Sequence, residues 1–145
     1  LAVQVAGSLL TKPAGGKGIL LGGVGEDGRG RVVVLGTGRF GIAAMERAVA
    51  LGAEVSMFGR DENRMARLRA AHPGRVQVEP LTAGRIAAQL PTADLLIGAV
   101  SVPGARAPRG VRLEVDDYVI ALTPPLLIGR APLLAAPGVL LRCIA

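Results

Sequence analysis

Arg31-Val32-Val33-Val34-Leu35-Gly36-Thr37-Gly38-Arg39-Phe40-Gly41 is the stretch that decides how this 145-residue chain is read. Three valines and a leucine in succession have the β-branched, wholly apolar character of a strand buried on both faces of a parallel sheet. Gly36, Gly38 and Gly41 follow at the spacing G-x-G-x-x-G, and Ile42 to Leu51 continues as an apolar, alanine-rich helix. The glycine spacing alone is a weak signal. Strand, glycine turn and helix in that order make it a dinucleotide-binding fingerprint. Gly36 permits the tight turn out of the strand, Gly38 lets backbone approach a pyrophosphate with no Cβ in the way, and Gly41 lets the helix pack closely on the strand. The helix start offers N–H groups and the positive end of its dipole to phosphate. Thr37, Arg39 and Phe40, set between the glycines, belong to the same candidate loop. The alternative is a tight strand-to-helix turn that holds no ligand.

Around this stretch the length suits one ordinary domain with a proper core. Half the residues are hydrophobic but only Phe40, Phe58 and Tyr118 are aromatic, so Ala, Val, Leu and Ile are expected to build that core. Alternating strands and helices place the fold among α/β proteins. The net charge of +6 comes from scattered arginines. Nucleic-acid binding would need them on one face, with aromatics to stack on bases, so solvated surface arginines are the reading taken. No apolar run reaches the length of a membrane span and no signal-peptide pattern is present, which points to a cytoplasmic protein with no membrane insertion. The single Cys143 and single His72 form no cluster, so neither a disulfide frame nor a bound metal is expected. Opening on Leu1 rather than Met suggests a fragment of a longer chain.

In chain order, residues 1–30 read as a short opening helix ending near Thr11, ahead of Pro13, and then a glycine-rich connector. The run Gly15-Gly16-Lys17-Gly18 has the look of a phosphate-cradling loop. Gly18 stands where that loop needs Ser or Thr, however, and a brief strand, Ile19-Leu20-Leu21, follows instead of a helix. Residues 31–108 read as the core of the domain. Glu54 to Phe58 forms the second strand, Asp61 to Ala71 a helix with acidic start and basic end, and Arg75 to Val78 the third strand. Thr82 caps a helix from Ala83 to Leu90. Asp94 to Val100 is the fourth strand, opening at its carboxyl end onto Ser101-Val102-Pro103-Gly104, where open α/β sheets bind ligands. In residues 109–145 the pattern weakens. Tyr118 to Leu122 and Val139 to Ile144 can each be a strand, and Leu126 to Ala136 at most a short helix. The expectation is a Rossmann-type, doubly wound, mainly parallel sheet with helices on both faces.

Two further runs carry a resemblance. Lys12-Pro-Ala-Gly-Gly-Lys-Gly-Ile-Leu-Leu-Gly-Gly-Val24 resembles the start of the nucleotide domain of alanine dehydrogenases, relatives of the NAD-binding subunit of pyridine nucleotide transhydrogenases. Ala93-Asp-Leu-Leu-Ile-Gly-Ala-Val-Ser-Val-Pro-Gly-Ala-Arg-Ala-Pro108 resembles the same family's fourth strand and following loop. With the fingerprint between them, the likeness covers about Leu1 to Pro108. It implies hydride transfer to a nicotinamide cofactor, NAD or NADP, with oxidative deamination of L-alanine to pyruvate. It also implies that Gly38, Arg39 and Phe40 lie against the pyrophosphate, Thr82 near the adenine, and Ala99, Val100 and Ser101 near the nicotinamide ribose.

The departures from the family are as informative. The acidic residue that ends the family's second strand and holds the adenosine ribose is here Gly59, followed by Arg60 and Asp61. Glycine removes the carboxylate's hydrogen bonds and its repulsion of a 2′-phosphate, and Arg60 can meet that phosphate. NADP(H) is therefore expected to bind at least as tightly as NAD(H). The alternative leaves Arg60 solvated, with Asp61 serving either as ribose carboxylate or as helix N-cap. The family's active-site aspartate after the matched region is not reproduced in Val111 to Ala145, although Asp116 or Asp117 could mark a strand start. The substrate-gripping Arg, Lys and His belong to a separate domain in the family. This chain is therefore expected to bind cofactor without turning over alanine and to carry no catalytic residue, its partners being the dinucleotide and either a further substrate domain or a second copy. A domain of the same fold with a structural or assembly role and no cofactor is the competing reading.

Overall fold

The computed structural model of the chain describes residues 2–24 and 28–99, together with the backbone of two strand segments, 119–122 and 140–141. Its centre is β1 (Arg31–Leu35), which pairs in parallel with β2 (Glu54–Gly59) on one side and β4 (Leu95–Gly98) on the other. β3 (Val76–Pro80) adds in parallel beyond β2. On the far side, β5 (Val119–Leu122) runs antiparallel to β4 and β6 (Leu140–Leu141) runs parallel to β5, giving the order β3-β2-β1-β4-β5-β6. The mainly parallel α/β sheet expected from the apolar runs is the one formed.

Alternate side chains of β1, β2 and β4 feed two separate cores, because successive strand residues point to opposite faces. On one face Val32, Val34, Val55, Met57, Leu95 and Ile97 pack against α1 (Ala2–Leu9), α2 (Arg39–Ala50) and α3 (Glu62–Ala71) through Val3, Ala6, Met45, Ala48, Met65 and Leu68. On the other, Val33, Leu35, Phe58 and Leu96 are covered by Leu81, by Ile86 of α4 (Ala83–Gln89) and by Leu90. Helices therefore lie on both faces. Each fully buried aliphatic side chain contributes roughly 1.5–3 kcal/mol. Exposed ion pairs such as Arg31–Glu54 and Arg69–Glu62 are worth about 0–1 kcal/mol each, so burial dominates. The core is less purely aliphatic than expected. All three methionines, Met45, Met57 and Met65, are buried in the core on the face opposite Phe58, their flexible thioethers filling space in a core with few aromatics.

The element ends follow local chemistry. Asp61 caps α3, its Oδ1 accepting from Arg64 N at 3.0 Å, and Thr82 caps α4. α2 starts at Arg39, three residues before the expected Ile42. β3 continues to Pro80 rather than stopping at Val78. α4 ends at Gln89 and gives way to a single 3-10 turn over Leu90–Thr92, as Pro91 requires.

One expected element is not formed: Ile19-Leu20-Leu21 is no strand. The flanking backbone is committed elsewhere, with Gly18 N donating to Leu10 O (2.8 Å), Gly23 N to Leu20 O (3.0 Å) and Gly30 N to Leu21 O (3.0 Å). The connector instead crosses two helix ends at backbone contact, and a Cβ on Gly22 would sit 2.4 Å from Leu51 O. Lys17 Nζ pairs with Asp94 Oδ1 at 2.6 Å, while Asp94 Oδ2 accepts from Arg31 N at 2.9 Å. That triad ties the connector to the amino ends of β1 and β4. The expected short helix within 126–136, and Asp116, Asp117 and Cys143, lie outside the described residues.

Candidate functional site

The carboxyl ends of the four parallel strands form one levelled edge. Beyond the strands, Gly36 N donates to Phe58 O, Leu81 N to Gly59 O and Ala99 N to Leu35 O, each at 2.7 Å. From β1 the chain steps outward to β2 and β3, then crosses back to β4 on the other side of β1, so the connections that follow β1 and β4 leave in opposite directions along the sheet. That is the topological switch point at which open α/β sheets accept ligands.

The loop that leaves β1 there separates the tasks of its three glycines. Gly36 turns at φ 107, a conformation L side chains rarely adopt. Gly38 has an ordinary extended backbone (φ −77, ψ −179), and a Cβ built on it meets no atom within 4 Å. Space is therefore open in front of the backbone at Gly38. Gly41 is the reverse case: its Cβ would lie 2.1 Å from Gly36 O and 3.3 Å from Met57 Cε. α2 runs for 12 residues from this loop, and no side chain caps its start at Gly38. Its amino end, with the positive pole of its dipole, faces the open space. Arg39 and Phe40 are exposed at that end, and Thr37 is buried.

At the end of β2, Gly59 is buried, while Arg60 is exposed and forms no hydrogen bond or ion pair among the described residues. Asp61 is engaged as the cap of α3 through its Oδ1. Thr82 stands after β3 on the same edge, its Oγ1 accepting from Arg85 N at 3.4 Å. Ala99 is buried at the end of β4; Val100 and Ser101 lie outside the described residues. The structure thus brings residues 36–41, 59–61, 82 and 99 to one edge. A contact with no counterpart in the sequence reading is Arg64 of α3, whose Nη1 donates to Thr37 O at 3.2 Å. Only its place one turn after the Asp61 cap hints at it.

Other features lie away from this edge. A cavity of about 590 Å³ sits at the amino ends of the strands, lined in part by Arg31, Glu54, Ser56, Arg75 and Gln77. His72 ends α3 near the same border. Among the described residues no group of three or more His, Cys, Asp or Glu is arranged to hold a metal ion, and no helix is long and apolar enough to cross a membrane.

Residues 2–117 match the family model described as alanine dehydrogenase/PNT, C-terminal domain. The chain is similar to an alanine dehydrogenase of Geobacillus stearothermophilus, 37% identical over 124 residues that make up 86% of this chain and 32% of the relative. It is 39% identical to the alanine dehydrogenase of Bacillus subtilis over 79% of this chain and 30% of that one. The chain thus spans about a third of the length of the curated relatives it matches. Among solved structures, an L-alanine dehydrogenase superposes with a TM-score of 0.70 and 42% identity over 74% of this chain and 30% of its own length. A transhydrogenase from Sinorhizobium meliloti shares the fold at a TM-score of 0.51 and 18% identity, over 80% of this chain and 38% of its own.

Proposed function

Because the chain belongs to the alanine dehydrogenase/PNT C-terminal-domain family, we propose that it is the dinucleotide-holding part of an oxidoreductase that moves hydride between a nicotinamide cofactor and L-alanine or a similar small amine. The observation that carries this reading is the open space at Gly38. An uncapped 12-residue helix points its amino end into it at the switch point of the sheet.

The residues present fit a dinucleotide. Backbone at Gly38, Arg39 and Phe40 faces the pyrophosphate, with the Gly38 position left clear of any Cβ. Ala99, Val100 and Ser101 serve the nicotinamide ribose side and Thr82 the adenine side. When bound, the cofactor supplies the ring that accepts or returns hydride. What this chain contributes is orientation: a rigid sheet edge and helix start that fix where the ring can lie. The chain spans about a third of the length of the curated relatives it matches, and the role read for it is binding of the cofactor without steady turnover of alanine.

Gly59 and Arg60 extend the reading to the choice of cofactor. No carboxylate ends β2 to repel a 2′-phosphate, Asp61 is occupied as a cap, and the Arg60 guanidinium is exposed beside the edge. NADP(H) therefore binds at least as tightly as NAD(H).

Thermal unfolding with each dinucleotide tests the reading. At one hundred times its dissociation constant a ligand that binds only the folded chain adds about 2.7 kcal/mol, so the midpoint rises with concentration. A midpoint that stays fixed for all four of NAD+, NADH, NADP+ and NADPH contradicts it.

A further inference from the structure

Thr37 is the buried polar residue of the described core, 6% exposed, and among the described residues its hydroxyl has no hydrogen-bond partner. Its backbone carbonyl is held by Arg64 Nη1 at 3.2 Å. The side chain lies directly over Gly59: a Cβ built there would fall 2.5 Å from Thr37 Cγ2, 3.0 Å from Thr37 Oγ1 and 3.1 Å from Met65 Cγ. Contacts under 3.0 Å are not tolerated without movement, and Thr37 is β-branched, stiff and packed in place. The missing carboxylate at the end of β2 and the threonine in the fingerprint are therefore one feature. A residue larger than glycine at position 59 requires the Thr37 side chain to move.

We propose that Thr37 and Gly59 form a coupled pair in which the Thr37 hydroxyl takes over from a second-strand carboxylate as the group that meets the adenosine ribose of the dinucleotide. This rests on the dinucleotide reading given above and adds a specificity-determining residue to it. A buried hydroxyl with no partner is destabilising, and that cost persists in the free chain and is relieved when a ligand oxygen comes within reach. Unlike a carboxylate, a hydroxyl both accepts from a ribose 2′-hydroxyl and donates to a 2′-phosphate. It bears no charge to repel that phosphate. The pair thus leaves the ribose end neutral and tolerant, and Arg60 at its margin supplies the positive charge.

Three variants test this, each read by thermal unfolding and by calorimetric titration with NADH and with NADPH. Thr37→Val keeps the shape and removes the hydroxyl. It is expected to unfold at the same or a higher temperature than the parent while binding NADH about three- to tenfold more weakly, the worth of a neutral hydrogen bond, and NADPH more weakly by at least that factor, because the bond lost there is to a charged phosphate. Gly59→Asp alone is expected to lower the unfolding midpoint or prevent folding. Adding Thr37→Ala to Gly59→Asp is expected to restore the midpoint and shift the affinity ratio toward NADH. A Thr37→Val chain that binds both dinucleotides as the parent does overturns the role given to the hydroxyl. Equal midpoints for Gly59→Asp with and without Thr37→Ala overturn the coupling. A parent chain that binds neither dinucleotide overturns the dinucleotide reading, and the hydroxyl's role with it, while the midpoints still report separately on the coupling.

Discussion

Gly41 packs its Cα against the carbonyl of Gly36, so closely that a Cβ on Gly41 would stand 2.1 Å from that oxygen. The contact joins the first turn of α2 to the end of β1 and sets how near the helix start comes to the sheet edge. Both partners are backbone atoms or atoms next to backbone, so neither can swing aside.

Gly41→Ala is therefore expected to destabilise the chain by about 1–3 kcal/mol, the usual cost of forcing extra atoms into a packed site, and to weaken dinucleotide binding by shifting the helix start. Urea unfolding measures the first effect, and a variant as stable as the parent would mean that α2 can move outward freely.

Arg60 is exposed and makes no hydrogen bond or ion pair among the described residues. Arg60→Ala should lower affinity for NADP(H) by roughly 1–3 kcal/mol, the range for a hydrogen bond to a charged group, and leave NAD(H) almost unchanged. Parallel titrations of parent and variant check it. Equal losses for the two cofactors, or none, would mean that Arg60 does not read the 2′-phosphate.

Asp94 joins the connector to the sheet through Lys17 and through the Arg31 N–H, with 13% of its side chain exposed. Asp94→Ala removes both bonds and leaves the Lys17 ammonium without its partner. The expected loss is about 2–3 kcal/mol of stability, with dinucleotide affinity little changed because the triad is at the amino end of the sheet. Lys17→Met, which removes one charged bond and keeps the Arg31 contact, should cost less; the two unfolding curves decide.

The parallel core was legible because its signals are local. Val32 to Leu35 and Leu95 to Gly98 are apolar runs, Glu54 to Phe58 sets Val55, Met57 and Phe58 among polar Glu54 and Ser56, and the caps at Asp61 and Thr82 stand directly before their helices. Ile19 to Leu21 misled because three apolar residues in a row carry strand propensity. Their surroundings are fixed instead by contacts with Leu10 and Leu51, which no local pattern records. In the site, the glycine spacing disclosed the turn, the open approach and the close packing. Thr37 could not be read in the same way. Its place over Gly59 joins residues 37 and 59, brought together only by the pairing of β1 with β2, and its clip to Arg64 depends on how α3 lies on the sheet.

In the function proposed above, the space in front of Gly38 receives the pyrophosphate of a dinucleotide. Gly38 has an extended backbone that any residue can adopt, and a Cβ there touches nothing within 4 Å, so a larger side chain harms binding without harming the fold. The direct measurement is calorimetric titration of the parent chain and of Gly38→Val with NADH and NADPH, with their unfolding midpoints taken alongside. The expected result is saturable binding by the parent, no measurable binding by the variant, and closely similar midpoints. A folded Gly38→Val chain that binds either dinucleotide as tightly as the parent would contradict it.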